Sequence, residues 1–295
     1  MKQAIGIDIG GTKVAIALIS EKGEMNHRYE MKSNITSAEA LFQSIVKGVH
    51  FVLGNANLTV QDIEGIGVGV PGKVDVENGV AVYQNNIPWH DFPVVERFKE
   101  ALGVERVRID NDVKVAAYAE YRLANLSPKD MFGYITISTG IACTNIINDQ
   151  IIRGSGFSGE IGFLPVPSSV GLRPLEEVAA GPGIQAYARS LYQDDTLTTK
   201  DVFERYLEGE PKAIEAVNQS AMGVAVGIFS MICLVDPKAI VLGGSVALKN
   251  PFYVERIKSI LNDLTHSEQK HVLERLTVSQ LGSDNGIVGA GMLVL

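Results

Sequence analysis

The chain has 295 residues, enough for two domains of ordinary size, and its composition is that of a soluble globular protein. Its 26 Lys and Arg residues against 34 Asp and Glu residues give a net charge of −8. No basic cluster interrupts this acidic balance, which argues against a nucleic-acid partner. The cysteines, Cys143 and Cys233, are far apart in the sequence, which excludes a disulfide scaffold and a cysteine metal cluster.

The sequence contains no segment typical of export or membrane insertion. Asp8 and the glycines near it interrupt the apolar run that a cleavable leader requires. The longest apolar run, residues 222–235, is shorter than the roughly 20 residues of a membrane span and predicts a buried helix. We therefore expect a cytoplasmic protein with no membrane partner.

The first distinctive segment is a glycine turn, Gly10-Gly11-Thr12, between apolar stretches at residues 4–9 and 14–19. The pattern predicts two strands folded back on this turn, with Asp8 near the end of the first strand. A Rossmann turn opens a helix, whereas a strand follows here, so a dinucleotide-binding turn is excluded. The turn offers backbone N–H groups, a hydroxyl, the charge of Lys13 and the Asp8 carboxylate, which together suit a polyphosphate and its magnesium.

The following segment predicts a strand at residues 25–31 and a helix at 37–54 with Ser37 as its N-cap. A buried strand then ends in a Pro71-Gly72 loop, which we place at the mouth of a cleft. This segment also matches the pattern G-x-G-x-x-G, but Pro71 and the turn after it preclude the helix that the motif requires. The match is therefore accidental.

Two adjacent amides, Asn85 and Asn86, precede the only tryptophan, Trp89, in an irregular segment. Amides beside an indole suit the recognition of hydroxyl groups. A polar loop with one aromatic anchor explains the same residues equally well. Both interpretations stay open.

A short strand at residues 104–109 delivers Asp110, Asn111 and Asp112 to the start of a helix at 113–123. Asn and Asp are preferred N-caps, so capping alone explains the triplet. A carboxylate at a helix N-terminus is also kept ionised by the partial positive charge of the helix. A general base must be ionised to accept a proton from an alcohol.

Residues 134–147 repeat the arrangement of the first turn, with an apolar strand, a small-residue turn carrying Thr139 and Gly140, and a second β-rich stretch. One such turn is usually only a turn. Two of them, about half the chain apart, predict a duplicated fold whose halves face each other across a nucleotide.

The remaining segments include one glycine-rich block, residues 153–163, in which Glu160 is flanked by small residues and therefore accessible. A proline-stiffened loop without regular structure is expected at 165–174. The later elements are a long helix at 213–235 ended by Asp236-Pro237, a buried strand at 239–246 containing Gly243-Gly244, and a small-residue helix at 284–295.

In this order, the motifs resemble the ROK family of sugar kinases and repressors, which belongs to the actin-like ATPase superfamily. The resemblance covers essentially the whole chain and rests on Asp8-Ile9-Gly10-Gly11-Thr12-Lys13, Asn111-Asp112, Ser138-Thr139-Gly140-Ile141, Gly159-Glu160-Ile161-Gly162 and Asp236-Pro237 with Val241-Leu242-Gly243-Gly244. It implies an α/β protein with a duplicated actin-like (ribonuclease-H-like) ATPase fold, two domains around a central cleft. The expected domains are residues 1–112 plus 284–295 and residues 113–283.

The same resemblance implies roles for individual residues, with Asp112 as the general base that takes a proton from a sugar hydroxyl. The residues expected to hold the sugar are Gly72, Lys73, Asn85, Asn86, Asn111, Glu160 and Glu176. The residues expected to bind ATP are Asp8, Gly10, Gly11, Thr12, Lys13, Thr139, Gly140, Gly181, Gly243 and Gly244. ATP and Mg²⁺ are the implied cofactors, with Asp8 contacting a magnesium-bound water.

Three departures from the family pattern bear on function. Phe163 stands where many members carry a histidine, and residues 166–174 replace a cysteine cluster, so we expect no structural zinc. That histidine contacts the sugar in zinc-bearing members, so its loss leaves the identity of the sugar open. Members without the zinc ligands include N-acetylmannosamine kinases and β-glucoside kinases, which shifts the expectation slightly away from plain glucose. Ser138, Ala142 and Cys143 stand where the second phosphate loop usually has glycine, and their Cβ atoms are expected to narrow the approach of the nucleotide.

The expected function is therefore an ATP-dependent kinase that phosphorylates a hydroxyl, at C6, of a hexose or N-acetylhexosamine such as N-acetylmannosamine or glucose, in a homo-oligomer such as a dimer. The altered second loop leaves a non-catalytic sugar-binding regulatory protein as the alternative. A DNA-binding repressor of this family carries a helix-turn-helix before the first phosphate loop, and only seven residues precede Asp8 here. We therefore expect no nucleic-acid partner.

Overall fold

The computed structural model describes residues 2–295, which form two compact units, residues 2–125 with Ser283–Leu295 and Leu126–Gly282. The strands are β1 Gln3–Ile9, β2 Lys13–Ser20, β3 Met25–Lys32, β4 Ile66–Val70, β5 Lys73–Asp75, β6 Val80–Tyr83, β7 His90–Phe92, β8 Val107–Asn111, β9 Phe132–Ile137, β10 Ile141–Ile147, β11 Gln150–Ile151, β12 Pro165–Ser168, β13 Gly171–Pro174, β14 Ala239–Gly243 and β15 Leu276–Val278. The helices are α1 Ala38–Asn55, α2 Val94–Leu102, α3 Asp112–Leu123, α4 Leu175–Ala179, α5 Gly181–Tyr192, α6 Thr199–Leu207, α7 Pro211–Val235, α8 Ser245–Lys249, α9 Pro251–Leu264, α10 His271–Glu274 and α11 Asn285–Met292.

The main sheet of the first unit has the strand order β3-β2-β1-β4-β8. The first three strands form an antiparallel meander, whereas β1, β4 and β8 run parallel. The parallel register sets Asp8 beside Gly69 and Gly69 beside Asp110. The carboxyl ends of three neighbouring strands therefore bring Asp8, the turn after β4 and Asn111 to one edge of the sheet, where ligands bind in open α/β sheets.

Helix α11 packs against this sheet and against α3, and glycines lie at the points of closest approach. A Cβ at Gly67 would collide with the carbonyl oxygen of Ala290, and a Cβ at Gly289 would collide with that of Val115. This close approach brings the start of α11 to the sheet edge, where a Cβ at Gly286 would lie 2.9 Å from Asp8 Oδ2.

The α3 helix belongs to the first unit because it packs on α11. The expected domain boundary at residue 112 falls before this helix, whereas the compact units divide after it, at Asn125. The chain reaches Asp112 from a strand of the first unit, and the small face of α11 holds the helix on the same unit.

Trp89 is an aromatic anchor of the first unit. Its indole is fully buried, donates from Nε1 to the carbonyl oxygen of Ala38 at 3.2 Å, and stacks on Phe92 with ring centroids 4.6 Å apart. The indole is therefore unavailable for hydroxyl recognition, and the anchor interpretation holds for this side chain. Asn85 and Asn86 remain exposed on the loop that Trp89 fixes.

The sheet of the second unit has the order β11-β10-β9-β14-β15. Its first three strands are antiparallel, whereas β9, β14 and β15 run parallel, so strand order and directions match those of the first unit. The hairpin predicted at residues 134–147 is present, formed by β9 and β10.

The long helix α7 is the central helix of the second unit. It begins at Pro211, two residues before the predicted start, and an 18-residue window of its 25 residues has a mean hydropathy of 1.6, so it is long and apolar enough to cross a membrane by length and composition. The apolar stretch is thus longer than the run at residues 222–235 on which the sequence argument rested, whereas the prediction of a buried helix agrees with its packing. Alanine and glycine positions such as Ala213, Ala221 and Gly223 are buried against α4, α5, α6 and α9, which makes it a core helix of this unit.

Two local expectations in the second unit were wrong. Residues 165–174 form the hairpin β12–β13 instead of an irregular loop; Gly171 has φ +98°, and the Ser169 N–H donates to Gln219 Oε1 at 2.8 Å. The strand predicted at 239–246 ends at Gly243, because Gly244 has φ +82° and turns the chain into α8.

Candidate active site

The first phosphate loop is a closed and well-supported turn. The Gly10 N–H donates to the Lys13 carbonyl at 2.9 Å, and Ser33 binds the loop twice, from its N–H to Thr12 O at 3.0 Å and from its hydroxyl to Gly10 O at 2.5 Å. A Cβ at Gly11 would lie 2.6 Å from the Asn86 Cβ, so only glycine admits the neighbouring amide loop here. The Thr12 side chain is exposed and free to meet a ligand.

The Lys13 ammonium has a carboxylate partner in the first unit. Its Nζ lies 3.1 Å from Glu30 Oε2, and the same oxygen is 3.0 Å from a guanidinium nitrogen of Arg28. Arg28 also donates to Asp284 Oδ1 at 2.7 Å. Lys13 is exposed, so this pairing is weak and a phosphate group can replace it.

Asp8 and Asp112 are the two carboxylates that the sheet edge brings together. Burial, together with the negative charge of Asp112, raises the pKa of Asp8 from 3.8 to about 6, against the opposing charges of Lys13 and Arg28. Burial also raises the pKa of Asp112, although a hydrogen bond from the Val113 N–H to Asp112 Oδ1 at 2.9 Å opposes the shift. The result is a partly desolvated acidic pair that favours a cation or a proton.

Asn111 is the N-cap of α3. Its Oδ1 accepts from the N–H groups of Val113 and Lys114, and its Nδ2 donates to Gly72 O at 3.0 Å. The capping explanation is thus correct for Asn111, and Asp112 is the first helical residue. The Asn111 side chain therefore links the Gly72 turn to the start of α3, the helix that carries the candidate base Asp112. This contact gives Asn111 a positioning role, in addition to the sugar contact expected from the sequence.

The loop that carries Asn85 and Asn86 is supported by Gln84, a residue that the sequence analysis did not single out. Gln84 is buried, and its Nε2 donates to Lys73 O at 3.1 Å, while Oε1 has no hydrogen-bond partner among residues 2–295. Gly72 has φ +78°, and a Cβ there would collide with the carbonyl oxygen of Tyr83. The side chains of Lys73, Asn85 and Asn86 are exposed next to these packed contacts of Gly72 and Gln84.

The second phosphate loop lies at one end of a cavity of about 670 Å³ within the second unit. Ser138, Thr139 and Gly181 line it, and the Gly181 N–H donates to Ser138 O at 2.8 Å. Apolar walls come from α6, α8 and α9, at Phe203, Val246 and Phe252. A flat aromatic base attached to a polar chain fits such a mixture of apolar walls and hydroxyl groups.

Of the three departures in the second loop, Ser138 is the one that lines this cavity. Its hydroxyl lies 3.3 Å from that of Ser245. Cys143 is buried in the core of the second unit, and Ala142 is not a lining residue. The side chain of Cys143 therefore does not face this cavity, and the effect of the three residues on the approach of a nucleotide stays a prediction.

Gly243 and Gly244 do not line the cavity. A Cβ at Gly243 would collide with the Tyr134 hydroxyl, and one at Gly244 would collide with Ile137 O. They let the chain turn so that Ser245 and Val246 reach the cavity. The structure adds Gln185, Thr199, Lys249 and Asn250 to its lining, and no sequence motif marks these four residues.

Glu160 and Glu176 are the acidic residues of the second unit that the sequence singled out. Glu160 is exposed, as predicted, after a glycine at φ +98° whose Cβ would collide with Cys143 O. Glu176 is half-buried, and its Oε2 would lie 3.2 Å from a Cβ at Gly140. Glu176 therefore lies against the second phosphate loop.

Residues 2–295 contain no group of three or more His, Cys, Asp or Glu side chains arranged to hold a metal. The hairpin β12–β13 has neither histidine nor cysteine, and the Phe163 side chain before it is exposed. Hydrogen bonding between Ser168 and Gly171 closes this hairpin.

Comparison with known proteins bears directly on this site. The sequence profile of the ROK family matches residues 4–295. The chain therefore belongs to the ROK family. Among ROK proteins it is 29% identical to a glucokinase of Halalkalibacterium halodurans over 98% of this chain and 94% of that protein. It is also 29% identical to an N-acetylmannosamine kinase of Haemophilus influenzae, over 99% and 95% of the two chains.

The fold of this ROK chain also matches solved structures. A ROK glucokinase from Streptomyces griseus, crystallised with glucose and AMPPNP, superposes with a TM-score of 0.76 at 25% identity, covering 99% of this chain and 98% of that one. The α/β sheets described above are therefore those of ROK sugar kinases.

The first unit of this ROK chain has a donor set that fits Mg²⁺. Asp8 and Asp112 are oxygen donors in a partly buried setting with excess negative charge, which is the chemistry that a hard divalent cation prefers. Asp8 is the better contact, because the Val113 N–H engages one oxygen of Asp112.

Proposed function

We propose that this chain is an ATP-dependent sugar kinase that transfers the γ-phosphoryl group of ATP to a hydroxyl of a hexose or N-acetylhexosamine. The observation that carries the proposal is the pair of partly buried carboxylates, Asp8 and Asp112, at the carboxyl edge of a sheet in a chain that matches the ROK family over residues 4–295. Phosphoryl transfer needs charge neutralisation, positioning and one acceptor for the alcohol proton.

Asp112 is the proposed acceptor of that proton. The sugar oxygen forms its bond to the γ-phosphorus while the bond from that phosphorus to the bridging oxygen of ADP breaks, and the hydroxyl proton passes to Asp112 Oδ2. Oδ1 is held by the Val113 N–H, so the carboxylate has one fixed and one available oxygen. Burial makes this carboxylate more basic than an exposed aspartate, which favours proton transfer.

The phosphate groups are bound by the two glycine turns in this proposal. Thr12 and Thr139 present exposed hydroxyl groups, and the backbone N–H groups of the turns add further donors. Lys13 exchanges Glu30 for a phosphate oxygen as ATP binds. Bound Mg²⁺ would supply neutralisation of the phosphate charge, and Asp8 would hold it through a water.

The sugar is assigned to Asn85, Asn86, Lys73, Glu160 and Glu176. All but Glu176 are exposed, and they offer the amide, ammonium and carboxylate groups that pair with sugar hydroxyls. The relatives that act on glucose and on N-acetylmannosamine are equally similar in sequence to this chain, so both sugars belong in the first panel of substrates.

We extend the proposal to the architecture. The two five-stranded sheets share strand order and directions, which supports a duplicated actin-like ATPase fold.

The test is ADP release, measured in a coupled assay with ATP, Mg²⁺ and a panel of glucose, mannose, N-acetylglucosamine and N-acetylmannosamine. We expect turnover with at least one sugar and a loss of at least about a hundredfold in kcat for Asp112→Asn, because general-base catalysis typically contributes 10²–10⁴-fold. Asp263→Asn, at an exposed carboxylate of α9, is the matched control and keeps full activity. Wild-type turnover in a folded Asp112→Asn variant would remove Asp112 from the mechanism, and silence on the whole panel would refute the kinase.

A further inference from the structure

The cavity of the second unit contains two side-chain amides whose orientation the protein fixes. Gln185 lies on α5, and Asn250 lies between α8 and α9; both line the cavity. The Thr199 N–H donates to Gln185 Oε1 at 3.3 Å, and Asn250 Nδ2 donates to Val246 O at 2.8 Å. A backbone N–H can only donate and a backbone carbonyl can only accept, so each contact determines which amide atom is used.

The two amides therefore offer complementary atoms to a ligand. Gln185 keeps its Nε2 donor, and Asn250 keeps its Oδ1 acceptor, because neither atom has a hydrogen-bond partner among residues 2–295. Thr199 also has its hydroxyl engaged, donating to Gly181 O at 2.8 Å. The two amides thus leave one donor and one acceptor of fixed identity. The cavity also contains the hydroxyl groups of Ser138, Thr139 and Ser245, whose hydrogens can rotate, the cation of Lys249 and the ion pair of Lys200 with Glu204.

This pattern matches one class of base. Adenine presents its 6-amino donor next to a ring-nitrogen acceptor, which is why amide side chains pair with it in two-point contacts. A 6-oxopurine presents an acceptor where adenine has the amino group, and that acceptor would face Asn250 Oδ1. The apolar walls at Phe203, Val246 and Phe252 supply surface for the ring itself.

We propose that Gln185 and Asn250 read the base of the nucleotide, with Gln185 Nε2 donating to a ring nitrogen and Asn250 Oδ1 accepting from the 6-amino group, so that the cavity selects 6-aminopurine over 6-oxopurine nucleotides. This inference rests on the proposed function, since it assigns the cavity to the nucleotide of the kinase reaction. It adds the two residues that determine the choice of phosphoryl donor.

Binding is measured by calorimetry with ADP and IDP, which differ only in the 6-substituent and the protonation of the adjacent ring nitrogen. The wild-type protein is expected to bind ADP at least about tenfold more tightly than IDP. Asn250→Ala removes the acceptor and brings the ratio of the two dissociation constants to within about threefold of one. Asn250→Asp keeps an acceptor oxygen but loses the bond to Val246 O, so it retains the preference for ADP.

Gln185→Glu is nearly isosteric and keeps the oxygen that accepts from Thr199, but replaces the donor with an acceptor. ADP binding is expected to weaken at least about tenfold. Gln193→Glu makes the same chemical change at the exposed end of α5, outside the cavity, and is expected to leave ADP binding within about twofold of wild type. We expect kcat/KM to follow the binding data: the wild-type protein prefers ATP to ITP, Gln185→Glu lowers the value for ATP, and Gln193→Glu leaves it nearly unchanged.

Equal affinity of the wild-type protein for ADP and IDP would overturn the assignment, as would an unchanged ratio in Asn250→Ala. If sugar-dependent ADP release persists in either case, the kinase stands and only base reading by these amides fails. If no nucleotide binds and no sugar is phosphorylated, the proposed function itself has failed. A loss of preference in Asn250→Asp equal to that in Asn250→Ala would assign Asn250 to the capping of α8 alone.

Discussion

The Asp8→Asn variant is expected to be more stable than the wild-type protein at neutral pH when no ligand is bound. Asp8 lies at the sheet edge, where burial raises its pKa from 3.8 to about 6 and Asp112 adds a second negative charge. Asparagine has nearly the same shape and carries no charge. The substitution therefore removes the cost of ionising a carboxyl group in this position.

The magnitude follows from the pKa. A rise of about 2 units corresponds to about 3 kcal/mol between the protonated and ionised states of the folded protein. Because the pKa is higher in the folded than in the unfolded chain, stability from the bound proton is present at low pH and is lost as the pH rises through about 4 to 6. At pH 7.5 the gain for Asp8→Asn is about 3 kcal/mol, and at pH 5 it is about half of that.

The assay is thermal unfolding followed by calorimetry at pH 7.5 and at pH 5. A gain of about 3 kcal/mol corresponds to about 6–12 °C in Tm for a domain of this size. The matched control is Asp284→Asn in the same acidic cluster. It is expected to give no gain, because Asp284 accepts from Arg28 at 2.7 Å and loses that ion pair.

Adding Mg²⁺ with ADP to the same variants tests whether the Asp8 charge that lowers stability also contributes to ligand binding. We expect the ligand to raise the Tm of the wild-type protein and to raise that of Asp8→Asn much less, because ligand stabilisation follows affinity. A variant that is no more stable than wild type at pH 7.5, or a difference that does not shrink at pH 5, would refute the reasoning from burial.

Two further predictions concern the neighbouring groups. The acid side of the kcat/KM profile is expected to fall at a pH above the ordinary aspartate pKa of 3.8, because burial raises the pKa of Asp112; a profile that stays flat down to that pH would contradict the role of a buried base. Gly72→Ala is expected to lower the free energy of unfolding by about 2–4 kcal/mol and to raise the KM for sugar, because it combines a positive φ with a collision at Tyr83 O. Gly103→Ala has φ +66° but open space around its Cβ, so it reports the backbone strain alone, and equal unfolding free energies for the two variants would exclude the collision.

Local patterns predicted the parts of the site that lie in continuous sequence. The turn at Gly10 and the hairpin at Thr139 are each bounded by apolar strands, and their pairing needs no information from distant residues. The triplet before α3 was predicted at the right place, but only the structure divides it into a cap, Asn111, and a first helical residue, Asp112. Alternating sequence patterns cannot make that distinction, because Asn and Asp both favour the cap position.

The contacts between distant segments could not be predicted in this way. Gln185 and Thr199 lie on separate helices and Asn250 lies between two others, so their identity as lining residues depends on how those helices pack. The hairpin at Pro165–Ser168 and Gly171–Pro174 was missed because proline-rich stretches usually lack ladder hydrogen bonds. Here the Ser169 N–H finds its acceptor on α7, a contact from 50 residues away.

The pair Asp8 and Asp112, to which we assign the main functional roles, also lowers the stability of the folded protein, because both carboxylates are partly buried. Two carboxylates whose pKa values are raised by burial, with the charge of Asp112 adding to the rise at Asp8, would be replaced by neutral groups if stability alone decided the residues at positions 8 and 112. Close packing instead holds both carboxylates in place. The glycine face of α11 brings Gly286 against Asp8, and the Asn111 side chain caps the helix that begins at Asp112. In the proposed kinase this site attracts a cation and accepts a proton, which requires negative charge that Lys13 and Arg28 only partly offset. The opposing effects of Asp8→Asn, greater stability and weaker binding of Mg²⁺ with ADP, follow from that single requirement.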